Sequence, residues 1–197
     1  MIIALAVPAY RQVVNVQTAY AWAQDSLTAA ELGWKPLLIW ADNTGVARSR
    51  NTNVKVAENA GARLLLMCDS DTFPTPMEGG LHSMWNVMQQ HKAAVVGAAV
   101  VTRNGKRMNC EPAKPGEAYE GEVGTGYMLI DLVKLRDLPR PWFVHKDSPD
   151  GLKVECGEDI YFCRHAKAHG HRVMVNYVLP MGHADQSVSA TGELRTQ

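Results

Sequence analysis

The chain has 197 residues and sets 20 Lys and Arg against 20 Asp and Glu, so its formal net charge is zero. With 46% hydrophobic and 20% charged residues it has a globular composition, which excludes the disordered and fibrous classes. One domain with a self-sufficient core is expected at this length, and the zero balance excludes a generally basic nucleic-acid binder while leaving room for a local basic groove.

Met1 leads directly into an apolar run, with no basic region and no small-residue cleavage site, so no secretory leader is expected. The longest apolar stretch, residues 93–101, is far short of the roughly 20 residues a spanning helix needs. Cys68, Cys110, Cys156 and Cys163 form no Cys-x-x-Cys pair, which argues against a thiolate zinc site and suits a reducing cytosol. The expectation is a soluble, cytoplasmic protein without a membrane span.

Residues 2–7 predict a buried strand closed by Pro8, followed by a helix over 12–32 that ends near Gly33. A strand at 37–40, a turn at Asp42, Asn43 and Gly45, a helix over 47–60 and a strand at 64–68 come next. Continuous apolar runs separated by helices predict parallel strands covered on both faces, the start of a doubly wound sheet. Farther on, a helix over 77–91 precedes a strand at 94–101. Residues 103–118, rich in Gly, Pro and charge, read as an excursion. An apolar pattern resumes over 123–131, a short helix is expected over 157–169 with Gly170 as its stop, and a last strand covers 173–178. The fold class is therefore α/β, a single Rossmann-like domain over 1–183 with a mostly parallel central sheet, followed by a polar tail over 184–197.

Asp69-Ser70-Asp71 directly follow the strand at 64–68, at the strand end where open α/β sheets bind ligands. Two carboxylates one residue apart suit a hard cation such as Mg2+ or Mn2+; the plainer alternative is an acidic turn or helix cap. Arg50 and Asn51 fall on the apolar stripe of their helix and so need a partner, either an anionic phosphate or, for a snorkelling Arg, solvent at the helix edge. Glu158 and Asp159 open a helix, where they either complement its dipole or supply a general base. His183 gains meaning as a ligand if its turn returns to the 69–71 loop. Gly124-Thr125-Gly126 is not a dinucleotide fingerprint, but its two glycines allow close backbone approach to a ligand. Trp142 and Phe143 fit either an aromatic platform or the core.

In order and spacing these stretches resemble the GT-A nucleotide-sugar glycosyltransferases, especially the small family-2-like enzymes of bacteria and bacteriophages. The matching segments are AVPAY at 6–10, residues 47–53 with Arg50-Asn51, LLLMCDSDTFP at 64–74, VGTGYMLID at 123–131, PRPWF at 139–143, GEDIYFC at 157–163, and His183. The resemblance implies that Pro8, Ala9, Tyr10 and Asp42 line the nucleotide base pocket and that Arg50, Asn51 and Ser70 face the nucleotide. It places Asp69 near the ribose or a metal-bound water, and gives Asp71 and His183, with Asp69, to a Mn2+ or Mg2+ ion on the diphosphate. Gly124, Thr125, Gly126 and Trp142 fall to the sugar and acceptor, and Asp159, beside Glu158, to the base of an inverting transfer. The implied donor is a nucleotide-diphosphate sugar, UDP-linked by preference. The acceptor is open between a glycan, a protein side chain and a hydroxylated base in DNA, as some phage enzymes of this kind use. The scattered positives at Arg103, Lys106, Arg107, Lys134, Arg136 and Arg140 could track a phosphate backbone, although a solvated face is the commoner reading of such scatter. Two alternatives stand beside this reading: a sugar-phosphate nucleotidyltransferase, for which residues 8–12 lack the expected glycine, and a non-catalytic nucleotide-sugar or glycan-binding domain.

Overall fold

The structure is a computed structural model that describes residues 1–8, 14–41, 45–100, 110–111, 116–148, 150, 153–179, 181–183, 186–188 and 194–196. Its first elements are β1 (Ile2–Pro8), α1 (Val16–Glu31), β2 (Lys35–Ala41), α2 (Val46–Asn59), β3 (Leu64–Cys68), β4 (Thr72–Pro74), α3 (Gly80–Gln90) and β5 (Val95–Ala98). Next come β6 (Cys110–Glu111), β7 (Ala118–Glu120), β8 (Glu122–Val123), β9 (Tyr127–Asp131), β10 (Lys146–Asp147) and β11 (Val154–Cys156). The last are α4 (Glu158–Ala168), β12 (Val173–Asn176), β13 (Met181–His183), β14 (Gln186–Val188) and β15 (Leu194–Thr196).

A seven-stranded sheet runs in the order β2-β1-β3-β9-β5-β12-β7. Its inner strands are the continuous apolar runs, buried on both faces, while the edge strand β2 alternates between exposed and buried residues. Successive side chains of the inner strands feed two cores. Ala4, Ala6, Leu65, Met67, Met128 and Ile130 pack with Val54 and Ala57 of α2 and Phe162 and Cys163 of α4. Ile3, Leu5, Leu64, Leu66 and Leu129 pack on the opposite face with Ala29 of α1 and Leu81, Met84 and Met88 of α3. The result is the expected α/β class, a mostly parallel sheet between two helical layers.

The sequence reading differs from the structure in one strand direction. β9 lies antiparallel between β3 and β5, and β7 is antiparallel to β12, whereas the β1–β2, β1–β3 and β5–β12 pairs are parallel. An apolar run buried on both faces carries no mark of its direction, so the reversal was not legible. Within the 103–118 excursion, residues 103–109 and 112–115 lie outside the described residues, but β6 pairs with β8 and β7 closes the sheet's far edge. In the 184–197 segment β14 and β15 form an antiparallel ribbon, and the other residues lie outside the described ones. Among the described residues no helix is long and apolar enough to cross a membrane.

One buried acid ties three elements together. Thr18, Ala21, Asp25 and Ala29 form the inward stripe of α1, and the Asp25 carboxylate accepts the Leu81 N–H in the first turn of α3 (3.1 Å) and the Tyr127 hydroxyl of β9 (2.7 Å). It caps a helix from another element, satisfying an N–H that Gly79, at the N-cap position, has no side chain to reach. Burial dominates its chemistry and pushes the Asp25 pKa up from 3.8 to about 7, against the opposing effect of the two hydrogen bonds.

Between those values the folded protein keeps a proton that the unfolded chain has released. Asp25 therefore stabilises the fold fully below about pH 4, and that contribution is lost as pH rises through about 7, a swing on the order of 4 kcal/mol. Urea denaturation across this range is expected to show the decline in the native chain and a flatter profile in Asp25→Asn.

Candidate active site

The 69–71 loop is fastened before it reaches any ligand. The Asp69 N–H donates to the Gly126 carbonyl (3.0 Å), and the buried Thr72 hydroxyl donates to the same oxygen. The Ser70 carbonyl accepts the N–H of Asn15 (2.8 Å), whose side chain caps α1, and the Thr18 hydroxyl donates to the Thr72 carbonyl (2.9 Å). The loop thus sits between the 124–126 backbone and the start of α1, at the carboxyl end of β3.

The chain then runs as β4, on which β13 pairs in antiparallel register, His183 opposite Thr72 and Gly182 opposite Phe73. A Cβ at Gly182 would stand 2.4 Å from the Phe73 ring, so only glycine lets the two strands close without displacing that ring. This pairing returns the turn before His183 to the carboxylate loop. The imidazole Nε2 lies 3.6 Å from Oδ2 of Asp71, and Nδ1 is buried with no hydrogen-bond partner among the described residues.

Behind the loop lies a buried charge chain. Arg50 of α2 is 3% exposed; its guanidinium donates through Nη2 to Oδ1 of Asp69 (2.8 Å) and through Nη1 to Oε1 of Glu158. Oε2 of Glu158 faces Nε2 of His145 at 3.3 Å. Arg50 thereby joins α2, α4 and the end of β3 through one side chain. Asp159, next to Glu158, stays partly exposed, its Oδ1 accepting the Ile160 N–H (2.8 Å).

Several expected site residues take other places. The Asn51 amide is consumed by the chain itself: Nδ2 donates to the carbonyls of Ala47 (2.9 Å) and Phe143 (2.8 Å), and Oδ1 accepts the N–H groups of Trp142 and Phe143. It brackets α2 to the 142–143 segment and has no hydrogen-bonding capacity left for a nucleotide. Trp142 is a core residue rather than a sugar platform, fully buried and stacked on Phe162. Glu158 is 6% exposed and engaged by Arg50 and His145, which makes its carboxylate a poor proton acceptor for a substrate. Gly124, Thr125 and Gly126 are buried beside the carboxylate loop, and the Thr125 hydroxyl has no partner among the described residues. Pro8 ends β1, in register with Ala41 of β2; Ala9, Tyr10 and Asp42 lie outside the described residues.

Sequence reasoning missed His145 and Thr72. Thr72 had a signal in hindsight, since the loop must leave β3 and re-enter β4 in a buried position. His145 had none beyond its closeness to Phe143. Cys68 and Cys163 are held as thiols: burial pushes Cys68 well above 9.0 and Cys163 to about 12.

Among the described residues no group of three or more His, Cys, Asp or Glu is placed to hold a metal. Asp71 and His183 are the one pair of expected ligands that the described residues bring together. A cation with bonds of about 2.1 Å sets adjacent donors about 3 Å apart, which the 3.6 Å separation accommodates with little movement. One carboxylate with one imidazole suits Mn2+ at least as well as Mg2+.

No protein-family model matches the sequence, and no curated protein matches it. Among solved structures, A197 from STIV aligns over 100% of this chain and 94% of its own, with a TM-score of 0.64 at 16% identity. A UDP-glucose pyrophosphorylase complexed with UDP-glucose aligns over 94% and 93%, with a TM-score of 0.55 at 11% identity. GalNAc-T7 with UDP, GalNAc and Mn2+ aligns over 93% of this chain and 43% of its own, with a TM-score of 0.50 at 10% identity. What the chain shares with these structures is the fold.

Removing the guanidinium leaves the Glu158 carboxylate buried without its cation. Arg50→Met is expected to lower the unfolding free energy by about 3–5 kcal/mol in urea titrations, and Arg50→Met with Glu158→Leu to recover part of that loss.

Proposed function

We propose that the chain is a metal-dependent glycosyltransferase that moves a sugar from a UDP-linked donor to an acceptor hydroxyl with inversion at the anomeric carbon. The observation that carries this reading is the β4–β13 pairing, which brings His183 to Asp71 at the sheet's carboxyl end. Three carboxylates (Asp69, Asp71 and Glu158) stand there with one guanidinium, and Asp159 follows Glu158 in the first turn of α4; this acid excess favours a divalent cation.

Asp71 and His183 would hold that ion, with Asp69, fixed by Arg50, directed toward the ribose. The ion supplies charge compensation for the departing diphosphate. Two residues alone would hold a cation weakly, so ion and nucleotide are expected to bind cooperatively. Asp159 takes the acceptor's hydroxyl proton, the acceptor oxygen bonds to the anomeric carbon, and the bond to the diphosphate oxygen breaks to release the nucleoside diphosphate. Glu158, held by Arg50 and His145, keeps the start of α4 and hence Asp159 in place. The reading goes with a cytoplasmic setting in a bacterium or an infected cell. The fold is shared with a pyrophosphorylase as well, but residues 8–12 contain no glycine to wrap a triphosphate, which favours sugar transfer.

Thermal shift tests the reading. Mn2+ and UDP together are expected to raise the melting temperature by more than the sum of their separate effects, and Asp71→Asn or His183→Ala to reduce the pair to additivity. Asp159→Asn is expected to retain this shift and to lower sugar transfer at least 100-fold; retained transfer removes it as the base. A pyrophosphate-release assay with UTP and a sugar phosphate is expected to show no turnover.

A further inference from the structure

Beside the charge chain a second feature lies outside this chemistry. A groove of about 780 Å³ runs between α2 and the 140–145 segment, and His145 lies at once in its wall and against Glu158. Arg48, Thr52 and Lys55 project into it from one face of α2, spaced four and three residues apart, and all three are exposed. Glu58, the acid in the same wall, is already paired with Arg140. Arg48 and Lys55 have no acidic partner among the described residues, so the groove carries two uncompensated positive charges on a protein whose net charge is zero.

Opposite them, the Arg140 guanidinium lies over the Trp142 ring at 4.0 Å from its centroid and is partly exposed. Pro141 and Val144 continue the wall as apolar surface. The groove thus offers a row of cations with a hydroxyl between them on one side, and a flat guanidinium with apolar neighbours on the other. Seven residues of helix separate Arg48 from Lys55 by about 10 Å, a span that two backbone steps of a single strand can cover, with Thr52 between them. Cations and hydroxyls contact phosphates, and a guanidinium plane stacks on bases.

We infer that this groove binds a nucleic-acid strand, with phosphates at Arg48, Thr52 and Lys55 and a base on Arg140, and that it leads the strand as acceptor toward the Asp159 end of the site. The acceptor role rests on the glycosyl-transfer reading; strand binding does not.

The test is fluorescence anisotropy of a labelled single-stranded oligonucleotide on the full chain over a range of salt concentrations. The double variant Arg48→Gln and Lys55→Gln is expected to weaken binding and to reduce the slope of log K against log salt by about 1.4, two phosphate contacts at ~0.7 each. Glu58→Gln, which frees Arg140, is expected to tighten binding. The donor thermal shift should persist in the double variant. An unchanged salt slope, or inorganic polyphosphate of equal charge competing as well as the oligonucleotide, overturns the groove assignment. Failure of the Mn2+ and UDP shift in the native chain counts against glycosyl transfer and leaves strand binding standing.

Discussion

A single buried guanidinium holds this site together. Arg50 lies within the helical layer, where an unpaired charge would cost several kcal/mol, and it is tolerated because Asp69 and Glu158 both reach it. Each partner belongs to a different element, so satisfying one charge fixes the relative positions of α2, α4 and the loop leaving β3. Asp69, with its neighbour Asp71, is set in place by that loop, and Asp159 by the first turn of α4. A pair of carboxylates at a strand end would otherwise repel and splay.

The second constraint is the β4–β13 pairing. Loops after parallel strands diverge, and nothing in a doubly wound sheet obliges a residue more than 100 positions later to return to the third strand's end. Gly182 makes the return possible by accepting the Phe73 ring where a side chain would clash. Thr72 completes the scaffold from within, its hydroxyl and backbone bonding to the 124–126 segment and to Asp69. The groove lined by α2 reaches the same charge chain at His145, which faces Glu158 and lines the groove wall at once.

Much of this was legible in the residues. The inner strands announced themselves as uninterrupted apolar runs, and the 69–71 carboxylates by their place directly after one of them. Arg50 was legible as a charge on an apolar stripe, though its partners were not, because long-range pairing leaves no local mark. Asn51, one position away, carries the same signal and serves the opposite end: its amide bonds to backbone groups of the 142–143 segment. Trp142 after two prolines reads alike whether it faces solvent or the core. Asp25 had a usable signal, since its spacing from Thr18, Ala21 and Ala29 puts a carboxylate on the inward face of α1. The direction of β9 had none.

The central claim is that Asp71 and His183 together hold a divalent cation against a nucleotide diphosphate. Pulsed electron paramagnetic resonance of Mn2+ bound to the protein with UDP reads the ligands themselves. The account predicts coupling from one imidazole nitrogen that disappears in His183→Ala while a phosphorus coupling from UDP remains. A Mn2+–UDP complex bound to the native protein without any nitrogen coupling would contradict it.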